Sequence, residues 1–237
     1  MDGLNCIFNR RSIRKYLKKP VEFDKIAVIL KAGSKAPSAG NLQDYRFIVL
    51  TDKVVIRHVA NHCTEQYWIA QAPVAIVVCT DIDRTEAYYG LRGQRLYSIQ
   101  DAAAAMENML LAAYDLGLGS CWIGSFEEEY ISDALNIPDN IRPQGIITLG
   151  YADGDSIERE ETDLNTMVYF NKYGIPIENM NTLLREYNKE IEKIVTVPEP
   201  IVDNAFEKLK ETVKKTYHKA KNNMKNKNSS RNIKKNN

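Results

Sequence analysis

Apolar residues occur in short blocks along the first 150 positions, and their spacing predicts alternating helices and strands. In Phe23–Ala32 they recur at the spacing of one helix face, and Gly33 is a typical residue for the end of that helix. Tyr45–Thr51 and Val74–Cys79 are short and rich in β-branched and aromatic residues, which predicts two strands.

The clearest helical pattern covers Ile99–Leu116, and Gly117 follows as a stop signal. Ser98, with Asp101 three residues later, is similar to a capping box at the start of this helix. The helix contains the run Ala102–Ala105, whose small side chains allow another helix to approach closely. This run fits either a packed core helix or a helix at a subunit interface.

The remaining blocks before residue 154 extend the same alternation. The spacing predicts a helix over about residues 52–66, strands at Gly119–Gly124 and Gly145–Gly150, and a helix at Glu127–Leu135 between them. Residues 82–97 show no period and are predicted to be irregular. Interleaved helices and strands around one core indicate an α/β or α+β fold.

The composition changes towards the carboxyl end. Residues 1–195 are predicted to form one domain, and residues 196–237 a proline-containing linker, an amphipathic helix at Asp203–Lys221 and a tail. The tail, residues 222–237, consists largely of Asn and Lys and is predicted to be partly disordered because it has too few apolar residues to bury a core.

The net charge of +1 conceals an uneven distribution. From Thr212 onwards there are nine basic residues and no acidic one, which leaves 23 basic and 31 acidic residues before it, a balance of −8. This basic stretch has no aromatic residue after Tyr217, so a solubilising role is favoured over binding to nucleic acid or to an anionic membrane. No apolar run reaches membrane-spanning length and the amino terminus lacks a secretory pattern, so the expected location is the cytoplasm.

The sequence also argues against several kinds of catalytic site. Its four cysteines are scattered without a CxxC pair, which indicates buried, reduced thiols, and no metal site is expected. The acidic run Glu127–Glu129 fits a solvated first helical turn better than a metal site. No GxGxxG follows a strand, which argues against a Rossmann dehydrogenase. No Ser/His/Asp arrangement is apparent, and no catalytic side chain is predicted.

Two segments carry the candidate chemistry. The run Arg10–Arg14 (RRSIR) places three guanidinium groups and one hydroxyl within five residues, and arginine is suited to forked contacts with phosphate oxygens. The loop Pro37–Gln43 (PSAGNLQ) can present backbone groups and small polar side chains. Taken singly, the first fits a solvated charge run and the second an ordinary surface turn. Together they indicate a site for a phosphorylated, planar ligand such as flavin mononucleotide (FMN).

These two segments resemble the signature segments of the FMN-dependent nitroreductase family. The resemblance extends from the start of the chain to about Gly174, and includes Gln100–Gly124 and Gly145–Asp153. It implies an α+β fold with a nitroreductase-like central mixed β-sheet flanked by helices. It also implies a homodimer with two FMN sites at the subunit interface, whereas the C-terminal extension, helical or disordered, is not part of the usual pattern.

The resemblance also assigns roles to residues. Those implied at the FMN phosphate and the pyrimidine side of the ring are Arg10, Arg11, Ser12 and Arg14. Those implied on a loop that reaches the flavin of the partner subunit are Pro37, Ser38, Ala39, Asn41 and Gln43. Ile123 and Gly124 would pass close to flavin N5, and Arg159 would return to the phosphate.

The implied reaction is a ping-pong transfer of hydride from NADH or NADPH to flavin N5, and from there to an electron-poor small molecule such as a nitroaromatic or a quinone. A flavin-binding interaction protein without turnover is one alternative, and a dehalogenase or a flavin-destructase with the same fold is another. Asp44-Tyr45 replaces the Pro-Trp that often follows the glutamine, which puts the substrate pocket wall in question. The resemblance implies that five residues of the irregular region cover the site, although packing of the loop explains them equally well. These are Tyr88, Tyr89, Arg92, Arg95 and Tyr97.

Overall fold

The computed structural model describes residues 3–154 and 161–175. The predicted helix at Asp203–Lys221, the tail and Arg159 lie outside the described residues. The helices are α1 (Gly3–Asn9), α2 (Phe23–Gly33), α3 (Lys53–Asn61), α4 (Ile82–Arg92), α5 (Ser98–Asp115) and α6 (Glu128–Leu135). The strands are β1 (Tyr45–Leu50), β2 (Val74–Asp81), β3 (Gly119–Ile123) and β4 (Ile141–Gly150).

The strands form one sheet in the order β1-β2-β4-β3, and each neighbouring pair is antiparallel. In the described residues, the mixed character expected of the sheet is confined to an isolated parallel bridge between Ser12 and Ser120. Pro143 lies in β4 opposite Cys79, where the register with β2 shifts. Proline has no N–H to donate to a regular ladder, and it is tolerated here because the ladder is irregular at the register shift.

The core lies on both faces of β2, whose residues Val74–Cys79 are all buried. Ala75, Val77 and Cys79 belong to a cluster with apolar residues of α3 and α6. Alternate residues of a strand point to opposite faces, so Ile76 and Val78 face α5, which contacts β2, β3 and β4. Helices therefore cover both faces of the sheet, and the expected α+β class is confirmed.

Helix α5 is a core helix on its sheet-facing side. Ala102, Ala105, Met106 and Met109 are at most 1% exposed. Helix α2 packs against the same helix at Gly33, where an added Cβ would lie 2.8 Å from the Met109 side chain. The core alternative is thus confirmed for the inner face of the alanine run.

Three sequence predictions need correction. The helix predicted over about residues 52–66 begins as expected, with Asp52 accepting a hydrogen bond of 2.7 Å from Val54 N, but it ends at Asn61. The chain turns there because Cys63, 1% exposed, is drawn into the core beside α3.

Residues 82–97 are not irregular. They form α4, capped by Asp81, and a single π-type turn at Gly93–Tyr97 that leads into α5. The helical period is hidden in the sequence because Gly90, with φ +58°, interrupts the helix and the π-type turn then shifts the phase.

The predicted capping box at Ser98 is also wrong. Tyr97 already has helical backbone angles, and the Ser98 hydroxyl donates a 2.7 Å hydrogen bond to the Gln94 carbonyl. Asp101 is therefore not needed at a helix start, and its carboxylate is directed to the Pro37–Gln43 loop.

The four cysteines are buried, as predicted, and no disulfide joins any two of them. Burial raises the pKa of the Cys63 thiol to about 11 and that of Cys79 to about 12, so both stay protonated at neutral pH. Across residues 3–154 and 161–175, no helix combines the length and the apolar character needed to cross a membrane.

Candidate functional site

The arginine-rich segment runs beside β3. Ser12 bridges to Ser120, and the backbone N–H of Ile13 donates a 2.9 Å hydrogen bond to the Ser120 carbonyl. Gly119 makes this approach possible, because a Cβ there would lie 2.8–2.9 Å from three atoms of the Ile13 side chain. The segment is therefore fixed to the sheet through its backbone.

Tyr16 holds the far end of the same segment. Its hydroxyl donates a 2.6 Å hydrogen bond to the Ile13 carbonyl and lies 2.8 Å from Thr148 Oγ1 on β4. The ring is 5% exposed, and burial raises the pKa of this phenol well above its ordinary value, so it remains a neutral donor. The segment is thus held on both sides of Arg14.

The three guanidinium groups are used differently. Arg11 Nη1 donates to the carbonyls of Phe8 and Arg10, at 2.8 and 3.1 Å, and so caps the end of α1. Arg10 Nε is buried without a hydrogen-bond partner, although it lies 3.3 Å from Glu107 Oε1 in an ion pair of poor hydrogen-bond geometry. Arg14 is exposed and has no ion-pair partner in the described part of the chain.

Arg10, Ser12 and Arg14 gather around Cys121, the middle residue of β3. The positive charges of Arg14 and Arg10 and the hydroxyl of Ser12 all act on the thiol of Cys121. Burial raises the pKa of this thiol, and those three groups lower it only in part. The resulting patch, formed by Arg10, Ser12 and Arg14, is called the cationic patch below.

Ile123 is the last residue of β3, and Gly124 follows directly after the strand. The Ile123 side chain is 1% exposed and packs in the core cluster, so only its backbone can face a ligand. Gly124 is exposed, and a Cβ there would meet only Trp122 Nε1, at 3.7 Å. The chain is therefore open at Gly124, three residues after Cys121.

The loop Pro37–Gln43 folds back on itself. The Ser38 hydroxyl accepts a 2.9 Å hydrogen bond from Gln43 N, and Gln43 Nε2 donates to Asn41 Oδ1 at 3.1 Å. Gly40, Asn41 and Gln43 have φ of +55°, +56° and +50°. Such angles are uncommon in residues other than glycine and persist where surrounding contacts impose them.

Two helices supply those contacts. The backbone N–H of Ala39 donates to both carboxylate oxygens of Asp101 on α5, at 2.9 and 3.1 Å. The Tyr89 hydroxyl of α4 lies against Gly40, where a Cβ would overlap it. Sequence reasoning missed the role of Asp101, and the available signal was a carboxylate among the alanines of a core helix.

Asp44, directly after the loop, is 0% exposed, and neither of its carboxylate oxygens has a hydrogen-bond donor among the described residues. Burial, and then the neighbouring Asp101, raise the pKa of this carboxyl to about 7. The sequence marked Asp44 as a departure from the family pattern, but not as the neighbour of Asp101.

The residues predicted to cover the site divide into two groups. Tyr89, Arg92 and Tyr97 pack among themselves: the tyrosine rings meet edge to face at 5.1 Å, and Arg92 Nε donates to the Tyr97 hydroxyl at 3.0 Å. Tyr88 and Arg95 take no part in these contacts. Tyr88, Tyr89, Arg92 and Arg95 are all exposed, so loop packing and contact with a ligand are both compatible with this segment.

The cationic patch and the Pro37–Gln43 loop are separate features within one chain. No hydrogen bond or ion pair joins them in residues 3–154 and 161–175.

Comparisons with known proteins agree on one family. The model of the Nitroreductase family matches residues 7–69 and 63–151. An Archaeoglobus fulgidus protein, provisionally named an NADH dehydrogenase/NAD(P)H nitroreductase, is 38% identical over 152 residues, which cover 62% of this chain and 84% of that protein. An oxygen-insensitive NADPH nitroreductase of Salmonella typhimurium is 27% identical over 195 residues, 79% of this chain and 80% of that enzyme.

A solved structure of an FMN-dependent nitroreductase from Clostridium difficile is 32% identical and superposes with a TM-score of 0.62, covering 73% of this chain and all of the other. The family match spans more than half of the sequence and includes both the cationic patch and the Pro37–Gln43 loop. The chain belongs to the nitroreductase family.

Proposed function

We propose that this protein transfers hydride from NADH or NADPH, through bound FMN, to an electron-poor small molecule such as a nitroaromatic or a quinone. Its class, an FMN-dependent NAD(P)H oxidoreductase, rests on the family match and on the names of the relatives. The choice of acceptor goes further than these names. The observation that supports flavin binding is the cationic patch around Cys121 of β3.

The residues present fit FMN. The buried Arg10 Nε has no hydrogen-bond partner, and Arg14 has an exposed guanidinium without an ion pair in the described residues. Buried donors of this kind are normally satisfied, so an acceptor at this position is favoured. A phosphate group supplies several anionic oxygens, and guanidinium groups bind them in a forked geometry. Arg11 is a weaker candidate, because it already caps α1.

When bound, FMN supplies the hydride-accepting and hydride-donating chemistry of the reaction. The protein itself contributes electrostatic stabilisation and the shape of the site. Arg10, Ser12 and Arg14 would balance the negative charge of the ligand, and preorganised donors of this kind stabilise charge that develops during a reaction. Gly124 would leave the end of β3 open to a flat ring, and the backbone next to Ile123 could offer further polar groups.

We also place the Pro37–Gln43 loop at the FMN site of a second subunit. The loop makes no hydrogen bond to the cationic patch of its own chain in the described residues, and its polar side chains are presented to solvent. Ile7 and Phe8 on α1 are 54% and 40% exposed, and Ile99 on α5 is 42% exposed. Apolar side chains exposed in this way favour an interface, and a homodimer would bury them.

The acceptor is tested by steady-state kinetics of the FMN-loaded protein with a nitroaromatic and with a quinone. We expect NAD(P)H oxidation that depends on the acceptor and gives parallel double-reciprocal lines, the pattern of ping-pong transfer. Turnover with neither acceptor, in a protein whose flavin is reduced by NAD(P)H, would contradict this acceptor class and favour a specialised enzyme of the same fold. Arg57→Gln, an exposed change on α3, should leave the rates unaltered.

A further inference from the structure

The buried carboxyl of Asp44 interacts with that of Asp101, which binds the turn at Ala39. Asp44 is 0% exposed and Asp101 is 5% exposed. Asp101 accepts the backbone hydrogen bond of Ala39 with both oxygens, whereas Asp44 receives no hydrogen bond from any N–H or hydroxyl donor of the described residues. Burying an ionised carboxylate without a hydrogen-bond donor is unfavourable for the free energy of folding.

The charged and titratable groups around the pair do not neutralise it. Arg46 of β1 is engaged with Asp81 at 3.1 Å and with the carbonyls of residues 43, 44 and 45. Asp81, at the end of β2, binds the Asp44 carbonyl only through its backbone N–H. The Tyr45 hydroxyl donates to the Ala36 carbonyl, and Tyr89 of α4 lies against Gly40.

The positive charge of Arg46 lowers the pKa of Asp44 but is outweighed by burial and by Asp101. Two adjacent buried carboxylates repel each other, and one proton between them replaces the repulsion by a hydrogen bond. Asp101 already accepts from Ala39 N with both oxygens, so it serves as the acceptor of the pair. Asp44, which has no donor of its own, is then the member that carries the proton and donates it. The hydroxyl of protonated Asp44 then has an acceptor in Asp101, so one of the two unpaired Asp44 oxygens gains a partner.

We propose that Asp44 and Asp101 act as positioning residues: protonated Asp44 donates a hydrogen bond to Asp101 and so fixes the Ser38–Asn41 turn in the shape that binds flavin. The part concerning flavin rests on the proposed function. The turn needs such an anchor because Gly40 and Asn41 hold positive φ values that relax when contacts are lost. Ionised Asp44 would push Asp101 away from Ala39 N and release the turn.

The pH dependence follows from the direction of the shift. The folded protein raises the pKa of Asp44 from 3.8 to about 7, so the folded state keeps a proton that the unfolded chain has lost. The stabilising contribution is complete below about pH 4, declines as the pH rises, and is lost once the pH passes about 7. Flavin affinity should fall in the upper part of the same range.

The test compares the full-length protein with Asp44→Asn, whose amide can donate to Asp101 but does not titrate. Asp52→Asn is the matched control, since asparagine also caps a helix at that exposed position. Two quantities are measured between about pH 6 and pH 8: hydrogen exchange of the turn, corrected for intrinsic rates, and the dissociation constant of FMN. If only the protonated form binds, the wild-type affinity falls about tenfold across this range.

We expect the wild type and Asp52→Asn to lose protection at Ala39 and FMN affinity as the pH rises, and Asp44→Asn to lose neither. The same pH dependence in Asp44→Asn and the wild type would overturn the proposal. If no protein binds FMN at any pH, the proposed function fails, and the exchange data still decide the role of the pair. An NMR titration of the wild-type Asp44 carboxyl needs no variant, and a midpoint in the ordinary range near 4 would also overturn it.

Discussion

Replacing Arg10 and Arg14 together by glutamine is expected to weaken FMN binding by a factor of a hundred or more while the protein remains folded. Each hydrogen bond from a charged donor contributes about 1.5–3 kcal/mol, so the loss of two corresponds to roughly 3–6 kcal/mol. Glutamine keeps much of the side-chain length and removes the charge. The dissociation constant is measured by quenching of flavin fluorescence, and thermal unfolding of the apoprotein checks the fold.

Arg11 and Arg57 provide the controls for this experiment. Arg57→Gln removes an exposed charge on α3 and should leave the affinity unchanged. Arg11→Gln should act mainly on stability, since Arg11 Nη1 caps α1 through the carbonyls of Phe8 and Arg10. Normal FMN affinity in the double variant would place the phosphate elsewhere on the protein.

Mixing two defective variants is expected to restore FMN binding if the loop acts across the subunit interface. One variant carries the Arg10→Gln and Arg14→Gln changes. The other carries Asn41→Glu, which places a negative charge on an exposed position of the loop, where it should repel an anionic flavin. Each variant alone should lose most of its affinity.

In a mixed dimer, one site combines the intact arginines of one subunit with the intact loop of the other. Random exchange of subunits makes about half of the dimers mixed, and one site in each is intact, so about a quarter of all sites should recover. Flavin bound per protein is measured after refolding the two variants together and separately. No recovery in dimers shown to be mixed would mean that loop and arginines serve the same site from one chain.

Much of the fold could be predicted because local signals agree with tertiary burial. The strand at Val74–Cys79 is continuous in sequence and buried on both faces, and Asp52 caps α3 as its position indicates. The prediction for residues 82–97 was wrong, and the reason is also physical. The interruption at Gly90 and the extra residue of the π-type turn shift the helical phase, so that no single period fits the segment.

The sequence could predict which residue types form the candidate site, but not the tertiary contacts between them. The residue types of the cationic patch indicate phosphate binding, but only the structure separates Arg11, which caps a helix, from Arg14, which is exposed. The contact between Ala39 and Asp101 joins residues 62 positions apart in sequence. No local pattern could reveal it, because the constraint arises from the packing of α5 beneath the loop.

We infer that the chain binds FMN and passes hydride to it from a nicotinamide. Anaerobic titration of the FMN-reconstituted, full-length protein with NADH and with NADPH, followed by visible absorbance, tests this directly. We expect flavin to be retained through gel filtration and bleached by at least one of the two nucleotides, with the colour restored by an acceptor. A protein that retains no flavin after reconstitution, or whose bound flavin neither nucleotide bleaches, would contradict it.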